Sequence, residues 1–259
     1  MHIPYFHVDA FTRRLFAGNP AGVCLLESWP EEVLLQSIAA ENNLPETAFV
    51  VPDGHGFALR WFSPRLEIDL CGHATLAAAF VLNLTGRAPR GPIRFTTRSG
   101  TLTVDTEDDL LLMDFPARPA APCPAPPELL LGLGAAPQEV YKARDYLAVF
   151  AREEEIAALT PDFALLSRLD CLGVIATGPG READFVSRFF APRAGIPEDP
   201  VTGSSHCTLI PYWAGRTGKD QLLARQLSAR GGELSCEHHG DRVRIGGHAV
   251  LYQATTLDL

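Results

Sequence analysis

Glu46 is the acidic residue whose neighbours best suit proton transfer. It follows Pro45 and precedes an apolar segment, residues 47–51, that is predicted to form a strand. A carboxylate beside proline and a hydrophobic run can be partly desolvated, which makes it a stronger base near neutral pH. The alternative is an ordinary surface glutamate in a loop, because charged side chains lie mostly in solvent. Glu46 is therefore a candidate catalytic residue, and a solvated loop glutamate is the alternative interpretation.

Two apolar helices are each predicted to begin at a glycine, one at Gly72 and the other at Gly203. The first N–H groups of a helix lack partners within the helix and carry partial positive charge, so a helix start can hold a carboxylate. Two such starts facing each other would grip a small acidic molecule and stabilise an enolate-like charge. Glycine allows close approach to the backbone, although it also caps purely structural helices.

The residue after each of these glycines is polar, namely His73 in the first helix and Ser204 in the second. Each can hydrogen-bond a bound carboxylate, and the imidazole can also shuttle a proton. A histidine at a helix start is often structural. The matched placement of the two side chains makes a role at a shared site an equal alternative.

Asp199 and Cys71 precede the two helix starts. Asp199 can orient a neighbouring group or share a proton with Glu46 across a cleft, or Asp199-Pro200 can simply begin the turn into the helix. Cys71 can form a thiolate at a helix start. Its counterpart before the second helix is Thr202, so a symmetric pair of thiols is absent.

Other motifs argue against a metal site and a nucleotide cofactor. Residues 236–239 read Cys-Glu-His-His, but adjacent side chains on a strand point to opposite faces. The sequence contains no Gly-x-Ser-x-Gly frame, no phosphate-binding loop and no dinucleotide fingerprint. We therefore expect no metal site and no nucleotide cofactor.

Hydrophobic periodicity predicts the elements that position these residues. A capping box at residues 28–31 is expected to begin a helix that ends near Asn43. The two helices that begin at glycine are expected to extend to about Leu84 and Ala214. Strands are predicted at residues 3–8, 23–26, 47–51, 58–62, 93–97, 101–105, 110–115, 147–150, 173–177, 183–190, 222–228, 233–237, 242–245 and 249–257.

The sequence contains an internal repeat. Residues 60–65, RWFSPR, match residues 188–193, RFFAPR, and Gly72-His73 matches Gly203-Ser204 at nearly the same separation. That separation is close to half of the chain. We therefore predict an N-terminal half at residues 1–115, a proline-rich linker at 116–127, and a C-terminal half at 128–259 whose end can cross back to the first half.

Composition limits the classes of partner. The 259 residues carry a formal net charge of −9 and no basic stripe, which argues against nucleic acid. The start of the chain lacks the pattern of a signal peptide, and no apolar stretch is long enough to span a membrane. The six cysteines form no Cys-x-x-Cys pair. A cytoplasmic protein without a nucleic-acid or membrane partner is expected.

Several sequence blocks resemble the phenazine-biosynthesis PhzF-like family, and they occur in the same order along nearly the whole chain. The blocks are DAFT at residues 9–12, FAGNPAGV at 16–23, LPETAF at 44–49, CGHAT at 71–75, DPVTGS at 199–204, YW at 212–213 and QLSARGG at 226–232. The resemblance implies the diaminopimelate epimerase-like fold. This is an α+β fold of two pseudo-symmetric halves, each a curled, mostly antiparallel sheet around a central helix, with the site between them.

The resemblance also implies roles for individual residues. Glu46 matches the general acid/base, with His73 and Asp199 as further catalytic residues and with substrate-binding residues Asn19, Gly72, Gly203 and Ser204. The best-known family activity is isomerisation of trans-2,3-dihydro-3-hydroxyanthranilate, without a metal or organic cofactor. By resemblance we expect an isomerase that acts on a small carboxylated substrate, and members are often homodimers.

Two other functions fit the same residues. One is a racemase or epimerase for amino acids that works without pyridoxal phosphate and uses Glu46 and Cys71 on opposite faces of the substrate. The presence of Thr202 disfavours the two-thiol version found in diaminopimelate epimerases. The other is a protein that binds a ligand without turnover. The presence of Glu46 and Asp199 argues against this function.

Overall fold

The computed structural model describes residues 1–259 and divides into two compact units. The first unit comprises Met1–Asp114 together with Gly246–Leu259, and the second comprises Phe115–Ile245. The end of the described chain therefore belongs to the first unit, whereas the second unit is continuous in sequence.

The first part of the chain contains eight strands and two helices. In chain order they are β1 (His2–Ala10), β2 (Asn19–Leu25), α1 (Glu32–Asn42), β3 (Glu46–Asp53), β4 (Gly56–Phe62), β5 (Glu67–Ile68), α2 (Gly72–Leu84), β6 (Ile93–Thr97), β7 (Gly100–Glu107) and β8 (Leu110–Pro116).

The remaining elements begin after residue 120. They are β9 (Ala121–Pro122), α3 (Pro127–Leu133), β10 (Glu139–Lys142), β11 (Tyr146–Val149), α4 (Glu153–Ala157), α5 (Phe163–Leu166), β12 (Val174–Pro179), β13 (Phe185–Ala191), a 3-10 turn (Pro192–Ala194), β14 (Ile196–Asp199), α6 (Gly203–Thr217), β15 (Gln221–Gln226), β16 (Gly232–His239), β17 (Arg242–Gly247) and β18 (Ala249–Asp258). None of the helices combines the length and apolar character that a membrane crossing requires.

The sheet of the first unit is mostly antiparallel and surrounds α2. Strand β1 pairs with both β18 and β2, and the antiparallel pairs β3–β4, β6–β7 and β7–β8 extend the sheet. The pairs β2–β3 and β4–β6 are parallel. Helix α2 contacts β1, β2, β3 and β18, and its sides are nearly all buried because its sequence is apolar all round. Helix α1 packs against β3 and β4.

The second unit repeats this order of pairings. The pair β11–β12 is parallel, β12–β13 is antiparallel, β13–β15 is parallel and β15–β16 is antiparallel. Helix α6 is its central helix. The indole of Trp213 stacks on Phe185 and donates a hydrogen bond to Thr177, so α6 is anchored to β13 and β12. The predicted α+β architecture, with a central helix in each unit, is confirmed.

Both central helices begin at the predicted glycines, but the predicted capping box at residues 28–31 is wrong. Helix α1 begins at Glu32, and the preceding Glu31 makes no side-chain capping hydrogen bond. Trp29 precedes Pro30, and a residue before proline is disfavoured in helical conformation. The helix therefore starts only after the proline.

Residues 116–127 lie in the second unit and hydrogen-bond to it. Strand β9 pairs with β10, and the backbone N–H groups of Arg118 and Cys123 donate to Cys207 and Val140. The prolines fit because this segment contributes only a two-residue edge strand.

Candidate active site

Glu46 is a buried carboxylate at the first position of β3. Helix α1 ends at Asn43, which adopts a left-handed conformation, and the chain then turns through Pro45 into the strand. In the sheet, Glu46 lies opposite Ala21 of the parallel strand β2. Its exposed fraction is 7%. The sequence left open whether this residue was a solvated loop glutamate, and the burial rejects that alternative.

His73 lies beside this carboxylate. It occupies the second position of α2, and its Nε2 atom is 3.1 Å from Glu46 Oε2. This is ion-pair distance, although Nε2 has no partner in the orientation of a directed hydrogen bond. Because both side chains are buried, solvent screens their interaction little. The structure therefore brings two of the predicted catalytic residues into direct contact.

The other nitrogen of the imidazole faces a thiol and an amide. Nδ1 of His73 is 3.6 Å from Cys71 Sγ and 3.3 Å from Asn19 Nδ2. Cys71 is the N-cap residue of α2, and Asn19 is the first residue of β2. The His73 ring thus lies between the Glu46 carboxylate on one side and the Cys71 thiol on the other.

The protonation of this cluster is set by burial and charge. Burial raises the pKa of the Cys71 thiol; the charge on His73 opposes that shift, and the Glu46 carboxylate reinforces it. The thiol therefore keeps its proton at neutral pH. Burial lowers the pKa of His73, but the neighbouring Cys71 and Glu46 raise it more, so the net shift is well upward. Since Cys71 remains a thiol, the Glu46 carboxylate is the negative group that favours a protonated imidazole.

Asp199 lies in the second unit, at the end of β14, and fixes the residue before α6. Its Oδ2 atom accepts a hydrogen bond of 2.6 Å from the hydroxyl of Thr202. Gln226 hydrogen-bonds to both of these residues. Its Oε1 accepts from the Thr202 N–H, and its Nε2 donates to the Asp199 carbonyl. Gln226 thus satisfies the N–H group of the helix cap, and the N–H groups of Gly203 and Ser204 begin the helix itself.

Sequence reasoning missed Arg144, which contacts the start of α6. Its Nη2 atom donates to Ser204 Oγ at 3.1 Å and to Asp145 at 2.7 Å. Asp145 is almost completely buried and also accepts from the Gly173 N–H. Arg144 follows the short strand β10, and no motif marks it, because its contact with Ser204 joins residues distant in sequence. It adds a positive charge next to Ser204.

The predicted site residues form two groups, one in each unit. Within the first unit, Glu46, His73 and Asn19 lie together, and Gly72 is the first residue of α2. Within the second unit, the predicted residues flank the start of α6: Asp199 through Thr202, then Gly203 and Ser204. The first group can exchange a proton, and both helix starts can bind an anion.

Comparison with known proteins identifies the family. A family model described as phenazine biosynthesis-like protein, PhzC-PhzF, matches residues 8–255. The chain is 53% identical to an uncharacterized isomerase of Pseudomonas aeruginosa, with 100% of both chains covered. A crystal structure of a PhzF-family phenazine biosynthesis protein from Enterococcus faecalis superposes with a TM-score of 0.98 at 48% identity, again over 100% of both chains.

A more distant likeness concerns the fold alone. A hydroxyproline epimerase from Agrobacterium vitis has a TM-score of 0.68 at 10% identity, covering 99% of this chain and 92% of the epimerase. The epimerase-like fold predicted from the sequence blocks is therefore confirmed. With the family match over nearly the whole chain, these findings establish that the chain is an isomerase of the PhzC-PhzF, phenazine biosynthesis-like family.

Proposed function

We propose that this isomerase moves a proton between two carbon atoms of a small carboxylated substrate, with Glu46 as the general acid/base. The observation that carries the proposal is the buried Glu46 carboxylate 3.1 Å from His73 at the start of α2. A carboxylate in this position can take a proton from one carbon and return a proton to a second carbon. Exchange of the carboxyl proton with solvent between the two steps, in a fraction of turnovers, labels the product in deuterium oxide. No cofactor enters this scheme.

The charges around Glu46 suit each half of such a reaction. When Glu46 accepts the proton, the negative charge passes to the substrate and spreads into its conjugated system. The protonated imidazole of His73 and the N–H groups at the start of α2 then stabilise that charge. When Glu46 donates the proton to the second carbon, the carboxylate regains its charge beside His73. Asn19, which lies against the imidazole, would hold the ring in place.

The start of α6 supports recognition of an acidic substrate. Ser204 and the N–H groups of Gly203 and Ser204 offer hydrogen-bond donors, and Arg144 adds a positive charge beside them. Asp199 would act as a positioning residue here, because its carboxylate holds Thr202 at the end of the helix. These donors match a carboxylate better than a neutral group.

A two-base racemase that uses Cys71 receives less support. The thiol is buried and keeps its proton, so it is a poor base in the resting protein. The counterpart position carries Thr202, whose hydroxyl already donates to Asp199. Glu46 is therefore the stronger candidate for the proton-transfer residue.

Solvent-deuterium exchange tests the proposal directly. Small cyclic carboxylic acids are screened in deuterium oxide for incorporation catalysed by the wild-type protein. For any acid that exchanges, Glu46→Gln is expected to reduce incorporation at least about a hundredfold. Glu41→Gln, on the exposed side of α1, is the matched control and should keep the wild-type rate. Undiminished exchange by a folded Glu46→Gln protein would reject Glu46 as the base.

A further inference from the structure

We propose that Cys71 and His73 form a binding site for one thiophilic divalent cation of the Zn²⁺ or Cd²⁺ class, with Glu46 supporting the imidazole from its opposite nitrogen. The three side chains are buried, and one ligand atom from each lies within 4.8 Å of the other two. Glu46 is the first residue of β3, Cys71 is the N-cap residue of α2 and His73 is the second residue of that helix.

The distance between the two proposed ligand atoms fits a tetrahedral metal. Cys71 Sγ and His73 Nδ1 are 3.6 Å apart. Metal–sulfur and metal–nitrogen bonds of about 2.3 and 2.0–2.1 Å, at a tetrahedral angle, place sulfur and nitrogen about 3.6 Å apart. The separation of these two atoms is therefore compatible with a bridging cation.

Glu46 occupies the place of a supporting carboxylate. Metal-binding histidines usually donate their second ring N–H to a carboxylate or carbonyl, which fixes the ring and strengthens the metal bond. Glu46 Oε2 lies 3.1 Å from Nε2, the nitrogen that faces away from the proposed metal, and a reorientation of the ring on metal binding would direct that N–H to the carboxylate. Water or a small anion would fill the remaining coordination positions.

The donor types select the metal. A thiolate and an imidazole favour Zn²⁺ and Cd²⁺ over Mg²⁺ and Ca²⁺, which prefer oxygen ligands. Binding forms one metal–sulfur and one metal–nitrogen bond, and the protons held by Sγ and Nδ1 pass to the buffer. No change in oxidation state is involved.

Metal binding would also affect the isomerase reaction. The cation would occupy the imidazole that serves Glu46 and would add positive charge within the acid/base cluster. We therefore expect Zn²⁺ and Cd²⁺ to inhibit proton transfer reversibly, with activity restored by a chelator. This consequence rests on the proposed function, whereas binding itself does not.

A cadmium titration followed by the ultraviolet thiolate-to-metal absorption tests the site without any substrate. Wild-type protein should show one saturable site, and Cys71→Ser should abolish it. His73→Gln should weaken binding at least about tenfold, as should the loss of the supporting carboxylate in Glu46→Gln. Cys171→Ser removes a half-buried thiol of the second unit and is the matched control, with unchanged titration.

The outcomes separate this site from the proposed function. An unchanged absorption band in Cys71→Ser, with folding verified by circular dichroism, would overturn the site; Cys71→Ala provides the second variant. Absence of saturable binding to the wild-type protein would overturn it equally. The optical signal does not depend on turnover, so a failed exchange assay with a clear Cys71-dependent band would reject the proposed function alone.

Discussion

The hydroxyl of Thr202 donates a hydrogen bond of 2.6 Å to the carboxylate of Asp199, immediately before the central helix of the second unit. Gln226 Nε2 donates to the same hydroxyl oxygen at 3.1 Å. The family resemblance described above implies a cysteine at this position in diaminopimelate epimerases. In this chain the corresponding side chain is already committed to organising the helix start, which favours a structural role for it over a chemical one.

Removal of that hydroxyl should destabilise the protein. Thr202→Val keeps the shape of the side chain but deletes a donor to Asp199 and an acceptor for Gln226 in a buried setting. We expect a loss of about 1–3 kcal/mol in the free energy of unfolding, measured by urea denaturation. Thr101→Val, at an exposed position of β7, should change stability by less than about 0.5 kcal/mol. An equal effect of the two substitutions would contradict the role of the hydrogen bond.

The pKa of His73 should depend on Glu46. The carboxylate helps to raise the pKa of the imidazole against burial, so Glu46→Gln is expected to lower that pKa. The His73 ring resonances, followed by NMR against pH, should titrate at lower pH in the variant than in the wild-type protein. Glu41→Gln should leave them in place. An upward shift or no shift in Glu46→Gln would show that the carboxylate does not control the imidazole.

His206 should make the protein sensitive to acid. It is completely buried in α6, and burial lowers its pKa from 6.5 to about 4, while its Nδ1 atom contacts the Thr202 carbonyl at 2.8 Å. Between these two values the unfolded chain binds a proton that the folded protein excludes, so the stabilising contribution is present above pH 6.5 and is lost as pH falls toward 4. The loss amounts to about 3 kcal/mol.

The measurement is the free energy of unfolding at several pH values. His206→Asn keeps a donor for the Thr202 carbonyl but has no titrating ring, so its stability should fall less steeply below pH 6.5 than that of the wild-type protein. His55→Asn, in an exposed turn, is the control and should follow the wild-type profile. Parallel profiles for His206→Asn and the wild type would refute the assignment.

Arg144 and Asp145 should behave as a coupled pair. Arg144→Met removes the positive partner of a buried carboxylate, which is expected to cost about 3 kcal/mol of stability. Adding Asp145→Asn removes the uncompensated charge while retaining an acceptor for the Gly173 N–H, so the double variant should recover much of that loss. Strictly additive losses in this double-mutant cycle would indicate that the two side chains act independently.

Regular, strongly apolar elements could be predicted from the sequence, and contacts between distant residues could not. The two central helices are long and begin at recognisable glycines, whereas α4 and α5 span only five and four residues and show no usable period. Two separate family sequence blocks identified Glu46 and His73 as candidate site residues. Their 3.1 Å contact depends on how β3 meets α2, which neither block reveals. Arg144 lies in no motif and becomes visible only through its contact with Ser204.

Strand β1 cannot complete its native pairing until strand β18 has been synthesised. Strand β1 lies between β2 and β18, and β18 emerges from the ribosome only after all of the second unit has been made. During synthesis one edge of β1 therefore has no native neighbour and offers unpaired backbone groups to other chains. The second unit is continuous in sequence, so all of its strands are available for pairing before β18 has been made. Pairing of the β1 edge with another chain is accordingly the expected first step in aggregation of the nascent protein.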